Sequence, residues 1–181
     1  MALEYYDDAI AAKLEKWTPS DLKLRILKPE DTKRLFETIA DDQKDKNIKL
    51  PFIALSRNND IELLLNVKNP RSYDGLKIEQ TAEKTAQLNV IPVRLQYQID
   101  IYTKTYHESD ENVRQYLFKL INNPVIKIVI PYNGKDFEQI ANIRVLSTIS
   151  DTSDIPQRLF TGQFTRWTIQ LEIQDAFLYN I

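Results

Sequence analysis

Cysteine is absent from these 181 residues, and histidine occurs once. A chain without cysteine has no disulfide, no thiolate metal ligand and no Cys nucleophile. A single imidazole excludes sites that take two from one chain. Glycine is the oddest shortage, with three residues where average usage of about 7% would supply roughly a dozen. Gly-rich phosphate loops and dinucleotide fingerprints need glycine where backbone approaches phosphate, so those chemistries are disfavoured. No run of about 18 apolar residues is present to span a bilayer as a helix. Neither sign of charge prevails: 24 Lys+Arg stand against 26 Asp+Glu, for a net −2. That balance gives no general pull toward nucleic acid or an anionic membrane. Composition therefore leans away from an enzyme, and no cofactor, metal or membrane partner is expected. The opening Met1-Ala-Leu-Glu-Tyr-Tyr-Asp-Asp8 is acidic and lacks the basic start and apolar core of a signal peptide. Synthesis and assembly in a cytoplasm are expected.

What is present suits a folded domain. The chain is 43% hydrophobic and 28% charged, and about 100–200 residues is the usual size of one domain. We expect a single α+β domain over 1–181. Tyr6, Ile10, Leu14 and Trp17 recur at helical spacing and predict a helix over 4–17, stopped by Pro19. Leu22, Leu24 and Ile26 suggest a short strand. Pro29, Glu30 and Asp31 open a second helix with Thr32, Leu35, Phe36 and Ile39 on one face. Residues 41–49 read as a surface loop. Leu50–Ser56 and Ile61–Val67 read as a strand pair around the turn residues Asn58-Asn59-Asp60, with Pro51 at an edge. Residues 68–89 are polar, contain Pro70 and Gly75, and show weak helical character only at 81–88. Long segments of this kind are usually functional, so 68–89 is the candidate arm or long loop for a partner.

The C-terminal half is more regular. Val93, Leu95, Tyr97, Ile99 and Ile101 alternate with Arg94, Gln96, Gln98, Asp100 and Tyr102, which is period two over a long strand. Ser109, with Asp110 and Glu111 behind it, reads as the cap of a helix carrying Val113, Tyr116, Leu117, Leu120 and Ile121. Val125–Ile130 has the composition of a buried strand. Tyr132-Asn133-Gly134 marks a turn, and Ile140–Ile149 a further strand. Thr165, Trp167, Ile169, Leu171 and Ile173 then alternate with Arg166, Thr168, Gln170, Glu172 and Gln174. The β–α–β order around 109–122 allows its flanking strands to be parallel neighbours. The expected fold is a mixed, mainly antiparallel sheet of four or more strands with helices mainly on one face.

Signals for chemistry are sparse. His107 sits beside Glu108, Ser109 and Asp110, and capping explains that group more simply than a triad does. The pairs Asp7–Asp8 and Asp41–Asp42, and Asp151 with Asp154, supply oxygen ligands for Mg²⁺, yet such pairs are common on solvated surfaces. Lys44, Lys46 and Lys49 are interrupted by Asp45 and make no nucleic-acid footprint. The wettable strand residues Arg94, Gln96, Gln98, Asp100, Tyr102, Arg166 and Gln170 carry two readings. One is a solvated sheet face; the other is a subunit interface or ring lumen rich in uncharged hydrogen-bonding groups. Tyr73, Tyr132, Phe177 and Tyr179, like Tyr5 and Tyr6, fall at termini or turns, where tyrosine favours interfaces.

The stretch Ile91-Pro-Val-Arg-Leu-Gln-Tyr-Gln-Ile-Asp-Ile-Tyr-Thr103 leads into the acidic helix start Glu108–Val113. With Ser150-Asp-Thr-Ser-Asp154 and Phe164-Thr-Arg-Trp-Thr-Ile-Gln-Leu-Glu-Ile173, it resembles the tail terminator (tail completion) proteins of contractile-tailed bacteriophages. Leu50–Arg57 is similar to a short motif of phage neck and tail proteins. The resemblance implies a non-enzymatic virion protein, commonly a homohexameric ring at the head-proximal end of the tail. Such a ring caps the tail tube, meets the last sheath ring and presents a surface to the head connector, while DNA crosses its lumen. Other readings are a neck, head-completion or baseplate adaptor protein and, from a different class, a small metal-dependent nuclease.

Overall fold

The computed structural model describes residues 3–18, 25–41, 50–64, 77–80, 84–87, 90–132, 135–152 and 165–179. Among these residues the helices are α1 (Glu4–Trp17), α2 (Pro29–Asp41) and α3 (Tyr106–Asn122). The strands are β1 (Arg25–Leu27), β2 (Phe52–Arg57), β3 (Glu62–Leu63), β4 (Lys77–Gln80), β5 (Lys84–Gln87), β6 (Val90–Thr103), β7 (Val125–Tyr132), β8 (Lys135–Asp151) and β9 (Thr165–Tyr179). Seven strands form one sheet in the order β1-β2-β6-β9-β8-β7, with β3 also on β6, and β4 pairs with β5 in a sheet of their own. β1 and β2 are parallel and the remaining pairs antiparallel. The fold is α+β with a mixed, mainly antiparallel sheet, as the periodicities imply.

Strand alternation decides what each face of the sheet meets. Leu95, Tyr97, Ile99 and Ile101 of β6 and Ile169, Leu171 and Ile173 of β9 join one core with Ile126, Ile128 and Ile130 of β7. Tyr6, Ile10 and Leu14 of α1 and Val113, Tyr116 and Leu120 of α3 cover that face, each helix burying its i, i+3, i+4 stripe. α2 lies on the other face, where Leu35 packs against Leu27, Phe52, Ala54 and Tyr102. Each of these large side chains contributes about 1.5–3 kcal/mol by burial.

Several local expectations are corrected. The β–α–β unit is β1-α2-β2; β6 and β7, flanking α3, run antiparallel with β9 and β8 between them. β2 and β3 do not pair with each other: both lie along the same edge of β6. The Asn58-Asn59-Asp60 segment therefore makes an outward bulge rather than a reversal, and the Asn58 N–H still donates to Gln96 O at 2.9 Å. Ser109 is not the cap of α3. Thr105 is, its hydroxyl accepting from the Glu108 N–H at 3.3 Å while the Glu108 carboxylate accepts from the Lys104 N–H. That reciprocal pairing satisfies two free donors and starts the helix four residues earlier than a Ser109 cap would. Only one face of β7 packs on the core, so Ile126, Ile128 and Ile130 are buried while Val125, Lys127 and Val129 are exposed. Lys84–Gln87, inside the weakly helical stretch, is a strand. Residues 42–49 and 65–76 lie outside the described residues.

β8 is longer than its apolar run because it serves two partners in turn. Lys135–Asn142 pairs with β7, and Ile143–Asp151 pairs with β9 around a shift between Val145 and Ile149. The last residues of β9 thus lose β8 as a neighbour, and side chains fill that gap. The Gln139 amide donates to Asp175 O at 2.8 Å, and the Asn142 amide to the Asp175 carboxylate at 2.7 Å.

Candidate functional site

The face of β6 and β9 turned away from α1 and α3 gathers most of the candidate polar residues. Register sets Gln96 beside Glu172, Gln98 beside Gln170, Asp100 beside Thr168 and Tyr102 beside Arg166. On the other flank of β6, Ser56 stands beside Gln98 and Phe52 beside Tyr102. The period-two pattern of each strand placed these side chains on one face; pairing β6 with β9 made the two rows one surface.

At one end of that face Arg94 bridges Glu62 of β3 at 2.9 Å and lies 3.7 Å from Glu172. Midway, Ser56, Arg57, Asn58, Gln96, Gln98, Leu146 and Gln170 line a shallow groove of about 300 Å³. At the other end Asp100 is 3% exposed. Its carboxylate accepts from Arg166 at 3.0 Å, from the Gln98 amide at 2.8 and 3.0 Å, and from the Thr168 hydroxyl at 2.6 Å. Arg166 also lies over the Tyr102 ring, 5.6 Å from its centroid, and that ring stacks on Phe52 at 4.5 Å. Burial alone would lower the Arg166 pKa, but the Asp100 carboxylate more than offsets it, so the guanidinium is held above its usual value. Burial, reinforced by Asp100, also pushes the Tyr102 phenol well above its ordinary range.

Among the predicted residues, then, Arg94, Gln96, Gln98 and Gln170 remain at the surface to differing degrees, whereas Asp100 and Tyr102 are interior. Phe177 and Tyr179 are also buried, within the core under α1. Tyr73 and the Tyr132 side chain lie outside the described residues, as does Asp154. Asp151 is exposed at the end of β8, and His107 is exposed in the first turn of α3.

Two buried polar clusters went unpredicted. The Asp7 carboxylate takes both Arg57 (2.7 and 2.8 Å) and the Tyr97 hydroxyl (2.7 Å), tying α1 to β2 and β6. Burial raises the Asp7 pKa against the opposing pull of Tyr97 and Arg57. In the second cluster, the Tyr6 hydroxyl donates to Gln139 Oε1 at 2.9 Å and accepts from the Phe177 N–H at 2.8 Å; Tyr179 also donates to Gln139. A lone phenol in an apolar row, as at Tyr97, and an amide at a buried strand position, as at Gln139, are the available signals. Their partners are 90 and 133 residues away, which no local pattern encodes.

These groups act as ties. Each ionised side chain of the three clusters has an opposite charge or several donors, which suits fixing a surface rather than transferring a proton. No protein-family profile matches the chain, and no curated protein sequence matches it.

Proposed function

We propose that this chain is a structural virion protein, a ring-forming tail terminator of a contractile-tailed phage. The ring caps the tail tube, contacts the last sheath ring and forms the head-joining surface. The observation that carries the reading is the open face of β6 and β9. Its charges are paired: Arg94 with Glu62 and Glu172 at one end, Arg57 of the groove with Asp7, and Arg166 with the interior Asp100 at the other end. Between them lie the uncharged Gln96, Gln98, Gln170, Ser56 and Asn58. Cationic side chains bind DNA by neutralising phosphates and releasing counterions. A lumen surface of amides and neutralised pairs lets DNA pass without holding it.

The placement of the resembling segments supports the same reading. Ile91–Thr103 and the Thr165–Ile173 portion of the closing segment are adjacent central strands, β6 and β9, and Glu108–Val113 opens the helix beneath them. The motifs form one contiguous unit instead of scattered apolar runs.

The test is tube growth. Purified protein added to polymerising tail-tube subunits should halt elongation and appear, when gold-labelled, at the head-proximal end. A label at the distal end would reassign the protein to the baseplate, and tubes of unchanged length carrying no label would remove the proposal.

A further inference from the structure

Among the described residues β7 is the last strand of the sheet, and its register with β8 fixes which main-chain groups face outward. The Ile143 N–H donates to Pro124 O, so positions 124 and 143 form a hydrogen-bonded pair. Such pairs alternate along an antiparallel ladder. By the register of β7 with β8, the N–H and C=O groups of Lys127 and Val129, and the C=O of Val125 and Pro131, point away from β8. Lys13 of α1 caps the Val125 carbonyl, which shows that direction independently. The groups of Lys127, Val129 and Pro131 face outward with no strand beside them among the described residues. Natural edges are blunted by charge, but Lys127 is neutralised by Glu138 at 2.5 Å. Around that pair, Val125, Val129 and Ile140 are exposed apolar side chains on the same side of the hairpin.

The chain also carries a second, two-stranded sheet. β4 and β5 are four residues each and, among the described residues, pair only with one another; an isolated two-stranded hairpin is marginal in water. We propose that the outer edge of β7 receives the β4–β5 hairpin of a second copy of this chain. The hairpin of the same copy cannot reach it. Two residues separate Gln87 from Val90, which holds their Cα atoms within about 11 Å. A strand outside β7 lies four strand spacings from β6, roughly 19 Å away. The contact is therefore head-to-tail, and a head-to-tail contact that closes by rotation gives a ring. This deepens the ring reading, on which it rests for closure, by naming the two surfaces that meet. Main-chain bonds at Lys127 and Val129 would supply the affinity, as in other strand additions.

The native chain has no cysteine, so single-cysteine variants of the full protein report the contact directly. Lys127→Cys mixed with Thr85→Cys, or with Ile78→Cys, should give on oxidation a covalent dimer of the two different chains. Val129→Pro should abolish the cross-link and weaken self-association about tenfold or more, with the melting curve kept because the Val129 N–H is not in the β7–β8 ladder. Deleting residues 77–87 should have the same effect and decides the matter should the proline variant not fold. Oligomers that persist in both variants, with no cross-link, overturn the β7 assignment and leave the ring reading standing. A wild-type chain that is monomeric at every concentration overturns both.

Discussion

The Tyr6 hydroxyl occupies the place of a missing strand, taking the Phe177 N–H at 2.8 Å where β9 has lost β8. Phe177 stands opposite Pro92, and the Pro92 carbonyl points the other way, to the Leu64 N–H of the segment after β3. The main-chain groups of Phe177 are thus aimed into the gap, and a buried N–H left without an acceptor is costly. Tyr6 closes the gap from α1 and Gln139 closes it from β8. One phenol therefore joins helix, edge hairpin and central sheet.

Tyr6→Phe should remove that junction while keeping the ring's packing. It strands the Phe177 N–H and one bond of Gln139, for a cost of about 1–3 kcal/mol. Urea unfolding followed by circular dichroism should show a lower midpoint with an unchanged slope. Tyr106→Phe, at a residue 58% exposed, should leave the midpoint where it is. Equal midpoints for the two variants would show that the Tyr6 hydroxyl holds nothing.

Asp100 and Arg166 should behave as a coupled buried pair. Asp100→Ala leaves the guanidinium desolvated without its anion, and Arg166→Ala does the converse; each should cost about 3–5 kcal/mol. The double variant should cost less than the sum of the singles, because neither charge is then stranded. Strict additivity in a double-mutant cycle would mean that Asp100 is held by Gln98 and Thr168 alone.

The tyrosines set an alkaline limit. Burial raises the phenols of Tyr6, Tyr97, Tyr102, Tyr116 and Tyr179 above their ordinary value of 10.0. Above pH 10 the unfolded chain releases phenolic protons that the folded chain retains, so stability is complete below that pH and falls as pH rises. Each such group removes up to about 1.4 kcal/mol per pH unit. Tyrosinate absorbance should therefore lag at first and then rise together with the loss of helix signal. A smooth titration of all the phenols in a still-folded protein would contradict this burial.

If the β6–β9 face lines the lumen of the proposed ring, charge placed on it should hold DNA. Gln96→Arg with Gln170→Arg changes two exposed side chains in the groove, and such surface changes usually move stability by about 0.5 kcal/mol or less. Rings should still form, and they should retain DNA in a salt-dependent way that the wild-type ring lacks. Rings of the variant that pass DNA as freely as wild type would place this face away from the lumen.

Periodicity made much of this fold legible. The i, i+4 stripe of α1 and the alternation in β6 and β9 are one-dimensional records of which face is buried, so helix, strands and open face could be read directly. Pairing was less accessible. Val125–Ile130 has an interior composition yet forms the sheet edge, because alternate residues pack on α1 while the others face outward. The partners of β2 and β3 depended on long-range register, which outweighed the turn chemistry of Asn58-Asn59-Asp60. Asp100 and Tyr102 continue the wettable row of β6 in sequence. They are buried because α2 and Arg166 cover them, a contact set by tertiary packing.

The most direct test of the central claim, that this protein works by assembling copies of itself onto a tail tube, is negative-stain imaging of purified protein with tail tubes, with the mass in solution measured alongside. Rings of about six times the 21.2 kDa chain mass are expected, one seated on the head-proximal end of each tube. A species of 21.2 kDa at every concentration, with bare tube ends, would contradict it.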